Sequence, residues 1–180
     1  MRYTGFDGNV SARRPAMDAW IKNALTYSGL KNLGSWLVRD QKSAGKVNHK
    51  GVPSVHGTGR AVDIGFSGVK NGRLKALNLM RVLTSNYEIL GVELILDYYP
   101  KAFGRGWRAD RKTWQKYSKP TIAGAPGGKW IHVEVSPDVL KNVENINEVW
   151  REITKLRNVK NAVLETPATA LTINTTSPLV

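Results

Sequence analysis

The stretch SVHGTGRAVDIGF, residues 54–66, carries the clearest structural pattern in the sequence. Residues 61–66 alternate as a half-buried strand does, because successive side chains of a strand point to opposite faces of the sheet. Val62, Ile64 and Phe66 share one face, whereas Asp63 lies on the other face between two small residues. The stretch therefore predicts a strand that packs one face on a core and presents a carboxylate on the wall of a cleft.

A second stretch, KWIHVEV at residues 129–135, shows the same alternation. The residues of its polar face are Trp130, His132 and Glu134, and those of its apolar face are Ile131, Val133 and Val135. The alternation predicts another strand with one face on the core. His132 then lies on a polar face that matches the face of Asp63.

The remaining segments complete a predicted α+β fold. Apolar residues at helical spacing predict helices over residues 11–30, 72–90 and about 136–159, the last beginning at the Ser136-Pro137-Asp138 turn. Further strands are predicted over residues 35–40 and 91–97, and loops over residues 41–53 and 98–129. This order predicts a small mixed or antiparallel sheet with flanking helices.

Length and composition predict one folded domain. The chain has 180 residues, of which 41% are hydrophobic, so it can bury a core of its own. We assign residues 1–160 to this domain and the Thr-rich residues 161–180 to a tail or linker. The net charge of +13 favours an anionic partner, and nucleic acid, an anionic membrane and a cell wall all qualify.

The sequence excludes metal sites that use cysteine, and it predicts neither export nor a membrane span. The chain has no cysteine, so a metal site would have to use His, Asp and Glu. The N-terminal residues lack the apolar core of a signal peptide, and no apolar run is long enough to predict a membrane span. We therefore expect a chain that is not exported by itself.

Two of the three histidines have a carboxylate at short spacing. His56 precedes Asp63 by seven residues, and His132 precedes Glu134 by two on one strand face. Histidine and carboxylate ligands suit Zn²⁺, and three protein ligands with an open fourth position form the catalytic arrangement. The third histidine, His49, has no such partner and is expected to be a solvated loop residue.

The motif SVHGTGRAVD resembles Ser-x-His-x-x-Gly-x-Ala-x-Asp, which is typical of the D-Ala-D-Ala carboxypeptidase-like zinc peptidases. The matching positions are Ser54, His56, Gly59, Ala61 and Asp63. This group includes peptidoglycan-cleaving endolysins and, more distantly, the Hedgehog signalling domain. WIHVEV resembles the second motif of the group, and the resemblance covers roughly residues 10–155. It implies a Hedgehog/DD-peptidase-like fold and a Zn²⁺ held by His56, Asp63 and His132.

The resemblance also implies roles for other residues. Arg39 lies where group members carry an arginine that binds the substrate carboxylate or stabilises the oxyanion, tasks that suit a guanidinium. Ser54 and Trp130 are further candidates for substrate binding. The general base of the group stands three residues before the last histidine ligand, where this chain has Lys129.

A lysine cannot deprotonate a metal-bound water unless its pKa falls steeply. Two carboxylates are candidates for the missing base. Glu134 shares the face of His132, and it could act as the base or orient that histidine. Asp97, at the end of its predicted strand, is the alternative.

The leading functional hypothesis is a zinc peptidase that hydrolyses peptide bonds of bacterial peptidoglycan. The absence of a signal peptide fits a bacteriophage lysin, held in the host cytoplasm until lysis or carried in the virion, that acts at the cell wall. The alternative is a catalytically degenerate module that binds the wall or serves as a virion structural protein. It is supported by Lys129, which stands at the position of the general base. Which bond would be cut stays open.

The long segment after Asp97 combines basic and aromatic residues, a mixture that can bind single-stranded nucleic acid. The same mixture can stack on sugars and attract anionic wall polymers. Because the metal motif lies in the same chain, peptidoglycan and anionic wall polymers are favoured as partners over nucleic acid. A basic nucleic-acid-binding protein remains a third hypothesis.

Overall fold

The computed structural model describes residues 1–42, 48–119 and 127–165. Within these ranges the chain forms a six-stranded antiparallel sheet, a separate two-stranded hairpin and four helices. The predicted α+β class is confirmed, and the sheet is antiparallel throughout. No helix in these ranges is long and apolar enough to cross a membrane.

The helices are α1 (Pro15–Ser28), α2 (Gly72–Ser85), α3 (Tyr87–Leu90) and α4 (Val143–Glu165). The strands are β1 (Lys31–Gly34), β2 (Asp40–Lys42), β3 (Asn48–Pro53), β4 (Ala61–Gly65), β5 (Val92–Asp97), β6 (Arg105–Arg108), β7 (Thr113–Lys116) and β8 (Trp130–Val135). The large sheet has the order β1-β4-β8-β5-β6-β7, and β2 pairs with β3 alone. The two strands predicted to carry the polar site, β4 and β8, are therefore neighbours.

The register of β4 and β8 places Asp63 directly opposite His132. On the other side of β8, Leu96 of β5 is also paired with His132. Directly opposed residues of an antiparallel pair have side chains on the same face, with Cβ atoms about 5 Å apart. Strand pairing alone thus brings the two predicted ligands together.

The two faces of the sheet differ in composition. One face carries Val62, Ile64, Ile131 and Val133, which are fully buried under the helices. The core of this face includes two tryptophans of α1 and α4, whose rings meet edge to face at 5.6 Å. Burial of such apolar side chains contributes about 1.5–3 kcal/mol each, so this face provides most of the stabilisation.

The opposite face is polar and aromatic. Leu94, Leu96 and Tyr98 form a small second cluster there. Partly buried Tyr3, Tyr117 and Trp130 pack against this cluster. As the alternation of β4 and β8 predicts, Asp63 and His132 lie on this face, away from the main core.

The predicted strand over residues 35–40 is wrong. The strand in this region is β1, and residues 35–39 belong to no strand. Every residue of β1 is exposed, so its sequence carries no apolar alternation. Conversely, the consecutive apolar residues Leu37 and Val38 are 56% and 50% exposed, so the apolar residues that predicted a strand here are not buried.

The two predicted loops each contain a hairpin. Residues 41–53 include most of the β2–β3 hairpin, and residues 98–129 include β6 and β7. These strands are short and charged and lie at or next to a sheet edge, so they have little apolar periodicity and escape a pattern search. Trp107 of β6 nevertheless reaches the main core with 3% exposure.

Helix α4 begins later than predicted. The turn at residues 136–138 does not start it; the Oδ1 atom of Asn142 accepts hydrogen bonds from the N–H groups of Glu144 and Asn145. Asn142 therefore provides the N-terminal cap. The helix continues to Glu165, past the predicted end at 159, and residues 166–180 of the predicted tail lie outside the described residues.

The other helices match their predictions in place but are shorter. Helix α1 ends where Gly29 adopts a left-handed conformation with φ 64° and donates its N–H to the carbonyl of Leu25. The predicted helix over residues 72–90 is divided at Asn86, which separates α2 from α3.

Candidate metal centre

His56 lies in a short 3-10 turn, Val55–Thr58, immediately before β4. Ser54 caps this turn by accepting the N–H of His56 on its side chain. Gly59 ends the turn with φ 68°, a conformation that favours glycine. The glycine and the serine of the motif thus shape the turn that carries the histidine.

The orientation of the His56 ring is set by a hydrogen bond. Its Nδ1 atom lies 3.0 Å from the carbonyl oxygen of Ser35. A carbonyl only accepts, so Nδ1 donates this hydrogen bond and Nε2 is the ring nitrogen directed at Asp63. The Nε2 atom lies 3.4 Å from Oδ2 of Asp63.

His56, Asp63 and His132 meet in one cluster. The Nδ1 atom of His132 lies 2.9 Å from Oδ1 of Asp63, and the two imidazole rings are 4.9 Å apart. One donor atom from each of the three residues lies within 4.8 Å of the others. His56 and His132 are buried, whereas Asp63 is partly open to the cleft. The group could hold a metal ion.

The cluster stabilises opposite charges on its members. Burial favours a lower pKa for His132, but hydrogen bonds to Asp63 and Glu134 outweigh it and raise the pKa to about 10. Burial opposes ionisation of Asp63, yet hydrogen bonds from His132 and His56 hold its pKa below the usual range. Without a metal, the site therefore keeps a proton on His132 between two carboxylates, and a metal must displace that proton.

Glu134 contacts His132 from the side away from Asp63. Its Oε1 atom accepts a hydrogen bond from Nε2 of His132 at 3.1 Å. A carboxylate on the second ring nitrogen of a histidine ligand fixes the tautomer and the ring orientation. Here it leaves Nδ1 of His132 directed at Asp63, as a shared metal would require.

The donor set fits a zinc ion. Two imidazole nitrogens and one carboxylate oxygen are ligands that Zn²⁺ prefers, and the opening at Asp63 leaves room for a fourth ligand. The hydrogen bonds of His56 to Ser35 and of His132 to Glu134 supply the outer support that such ligands need.

The cluster lies in a cleft of about 360 Å³. Arg39, Ser54 and Trp130, the predicted substrate-binding residues, all line this cleft. The carbonyl of Arg39 accepts the N–H of Ser54, so the arginine is tied to the turn that carries His56. Its Nε atom is buried and has no hydrogen-bond partner among the described residues.

The structure does not bring Asp97 to the cleft. Asp97 is fully buried and is held by Arg73, with N–O distances of 2.7 and 2.8 Å, and by Arg105 at 3.0 Å. Lys129 is exposed and does not line the cleft either. The side chain of His49, in β3, lies outside the described residues.

Two further residues of the site region have no signal in the sequence. Tyr3 lines the cleft although it precedes α1 by twelve residues. Arg60, within the motif itself, is fully buried and donates to the carbonyls of Gly5 and Val135. Both placements depend on contacts between residues far apart in the chain, which no local pattern reports.

Comparison with known proteins identifies no relative: no protein-family model, curated protein or solved structure matches the chain.

Proposed function

We propose that this protein is a zinc-dependent peptidase that hydrolyses peptide bonds of bacterial peptidoglycan. The observation that carries the proposal is the group of His56, Asp63 and His132 at one cleft that also contains Arg39. When bound, zinc would supply Lewis-acid activation of water and polarisation of a peptide carbonyl.

The side chains of the cleft have distinct tasks in this proposal. His56, Asp63 and His132 hold the metal, and Glu134 keeps the ring of His132 in orientation. Arg39 binds a substrate carboxylate or stabilises the negative charge that develops on the carbonyl oxygen. A cleft of about 360 Å³ is at the lower end for small-ligand sites, so it accommodates a short peptide segment.

The substrate class has two supports. The motif at residues 54–63 resembles that of peptidoglycan-cleaving zinc peptidases. The net charge of +13 favours association with anionic wall polymers. Both fit a phage-type lysin that acts at the cell wall, and the motif also fits a fold related to the DD-peptidases.

Digestion of purified sacculi tests the proposal. The zinc-loaded protein should release new peptide termini, identified by mass spectrometry, and a chelator should stop the release. His56→Ala should remove both metal and turnover. His49→Ala, which removes the histidine outside the motif, is the matched control and should retain both. Cleavage that persists in His56→Ala would contradict the proposal.

A second candidate is a wall-binding or virion structural module without catalysis. It is favoured by the absence of a free carboxylate base among the described residues of the cleft: residue 129 is a lysine, Asp97 is bound by arginines, and Glu134 is bonded to His132. Protein that holds zinc and binds sacculi, yet releases no termini from them, would favour this module over the peptidase.

A further inference from the structure

A groove on the helical side of the protein is formed by the C-terminal end of α1 and by parts of α2 and α4. Tyr27 of α1, Lys75 and Arg81 of α2, and Leu156 and Arg157 of α4 are among its lining residues, and we call it the helical groove. Its volume is about 740 Å³. The helices cover the apolar face of the large sheet, whereas the metal cleft lies on the opposite face. A ligand in the helical groove therefore leaves the metal cleft open.

The charged side chains of the helical groove are all positive. Its described lining residues include Lys75, Arg81 and Arg157 but no aspartate or glutamate. None of the three cations forms an ion pair within the described part of the chain. Elsewhere on the surface, Lys141 and Lys155 lie 3.4 and 2.7 Å from a carboxylate. The groove thus concentrates positive charge without compensation, which favours an anionic ligand.

Arg157 has a defined position in the groove. One of its terminal nitrogens donates to the carbonyl of Tyr27 at 2.8 Å, and its guanidinium lies over the Tyr27 ring at 4.3 Å. The Tyr27 ring itself lies 5.8 Å from the buried ring of Trp150. A guanidinium restrained in this way loses less conformational freedom when it binds a ligand, and it keeps further N–H groups for that ligand.

Lys75 and Arg81 differ in their relation to the fold. The Nζ atom of Lys75 would lie 3.2 Å from a Cβ atom added at Gly29, so it reaches the C-terminal end of α1. A cation there also stabilises the helix through its dipole. The side chain of Arg81 forms no hydrogen bond or ion pair with any described residue and is exposed. Arg81 therefore allows ligand binding to be measured separately from stability.

The kind of anion follows from the side chains of the groove. A guanidinium binds phosphate through two parallel hydrogen bonds, and an ammonium adds a point charge. Because three cations line one groove, they suit an anion whose charges repeat along a chain. Tyr27 is the one aromatic residue among the described lining residues, and its ring is covered by Arg157. The groove therefore offers no free ring for the base stacking that single-stranded nucleic acid requires.

We propose that the helical groove is a second binding site, which takes a phosphodiester polymer of the bacterial cell wall, of the teichoic-acid type. Binding in this groove holds the protein at the wall while the metal cleft on the opposite face stays accessible. The inference rests on the proposed function for its cell-wall setting, but the binding itself requires neither metal nor cleavage.

The test is the affinity of the full chain for poly(glycerol phosphate), titrated at several salt concentrations. Neutralising the groove with Lys75→Gln, Arg81→Gln and Arg157→Gln together should weaken binding more than about 10-fold at low salt. The salt dependence should also become shallower, because fewer counterions are displaced. Arg81→Gln alone should weaken binding about 2- to 5-fold without a change in melting temperature.

The matched control removes the same charge outside the groove. Lys22→Gln, Arg151→Gln and Lys155→Gln together change three exposed helix positions that do not line it. This variant should keep an affinity close to that of the wild type, because only the general field of the protein is reduced. Equal losses in the two triple variants would show that diffuse charge attracts the polymer, and this would overturn the inference.

Two further probes test the identity of the ligand. Single-stranded DNA and polyglutamate of similar charge should bind less tightly than poly(glycerol phosphate). Tighter binding of DNA that is lost in the groove variant would assign the groove to nucleic acid and overturn the inference.

The outcome is separable from that of the proposed function. A protein that cleaves sacculi, but binds the polymer equally well with and without the groove cations, keeps the peptidase and loses the inference. A protein whose polymer binding depends on the groove, but which cleaves no sacculi, keeps the inference and loses the peptidase.

Discussion

Asp63 and Asp97 are two carboxylates of the same sheet whose surroundings differ. Asp97 lies fully buried between two arginines, which bind both of its oxygens. Asp63 is partly open to the cleft, and its partners are two imidazoles. Arginine keeps its charge at any physiological pH, whereas an imidazole can exchange its proton for a metal. A carboxylate with fixed cations is therefore structural, and one with histidines is available for chemistry.

Asp63→Asn should give the largest effect on metal binding. The substitution removes the charge of a ligand that contacts both histidines, so Zn²⁺ affinity should fall by more than about 100-fold, beyond the loss typical of an outer-shell partner. Competition with a chelator measures it. Unchanged affinity would show that the metal, if bound, is held elsewhere.

Asp97→Asn should act on stability instead. It leaves Arg73 and Arg105 without their buried partner, and breaking a buried ion pair in this way costs about 3–5 kcal/mol. Denaturant unfolding of the metal-free protein measures the loss. Asp110→Asn removes an ion pair to Arg108 at the surface and is the control, which should leave the unfolding free energy nearly unchanged. Zn²⁺ affinity per folded molecule should be unchanged in Asp97→Asn, and a large fall would remove the distinction between the two carboxylates.

The pH dependence of the unfolding free energy should differ between the metal-free protein and the Zn²⁺-bound protein. The pKa of His132 is raised from 6.5 to about 10 in the folded, metal-free protein. The stabilisation of the folded state by protonated His132 is therefore fully present below about pH 6.5 and is lost as the pH rises through about 10. The lowered pKa of Asp63 adds stability that is present above about pH 3.8 and is lost as the pH falls through its folded value.

The metal-free protein should therefore lose unfolding free energy between about pH 6.5 and 10, as measured by denaturant titration at several pH values. His132→Gln should flatten this slope relative to the wild type. Zn²⁺ affinity should change in the opposite sense and increase with pH, because the metal and the proton compete for His132. A wild-type slope identical to that of His132→Gln would contradict the role assigned to this histidine.

Much of the candidate site follows from local pattern. Alternation in residues 61–66 and 129–135 assigns Asp63 and His132 to polar strand faces, and the structure confirms both assignments. The turn that carries His56 follows from a serine cap and a glycine at positive φ. These features depend on residues a few positions apart, so the sequence expresses them directly.

Other features depend on partners far along the chain. The contact of Glu134 with His132 is visible only in the structure. Likewise, only the arginine partners of Asp97 show that this carboxylate does not belong to the cleft. The edge strand β1 has no apolar alternation because it is exposed throughout. For such positions the residue type is compatible with several environments, and packing selects one.

The sequence by itself determined the α+β class, the two core-facing strands and the three residues of the candidate metal group, because strand periodicity and short motifs are local. Only the tertiary structure decided which cation neutralises each carboxylate, that Asp97 lies away from the cleft, and that Tyr3 lines it. The physical reason is that electrostatic pairing and burial are properties of contacts between distant segments. These contacts exist only once the sheet has formed.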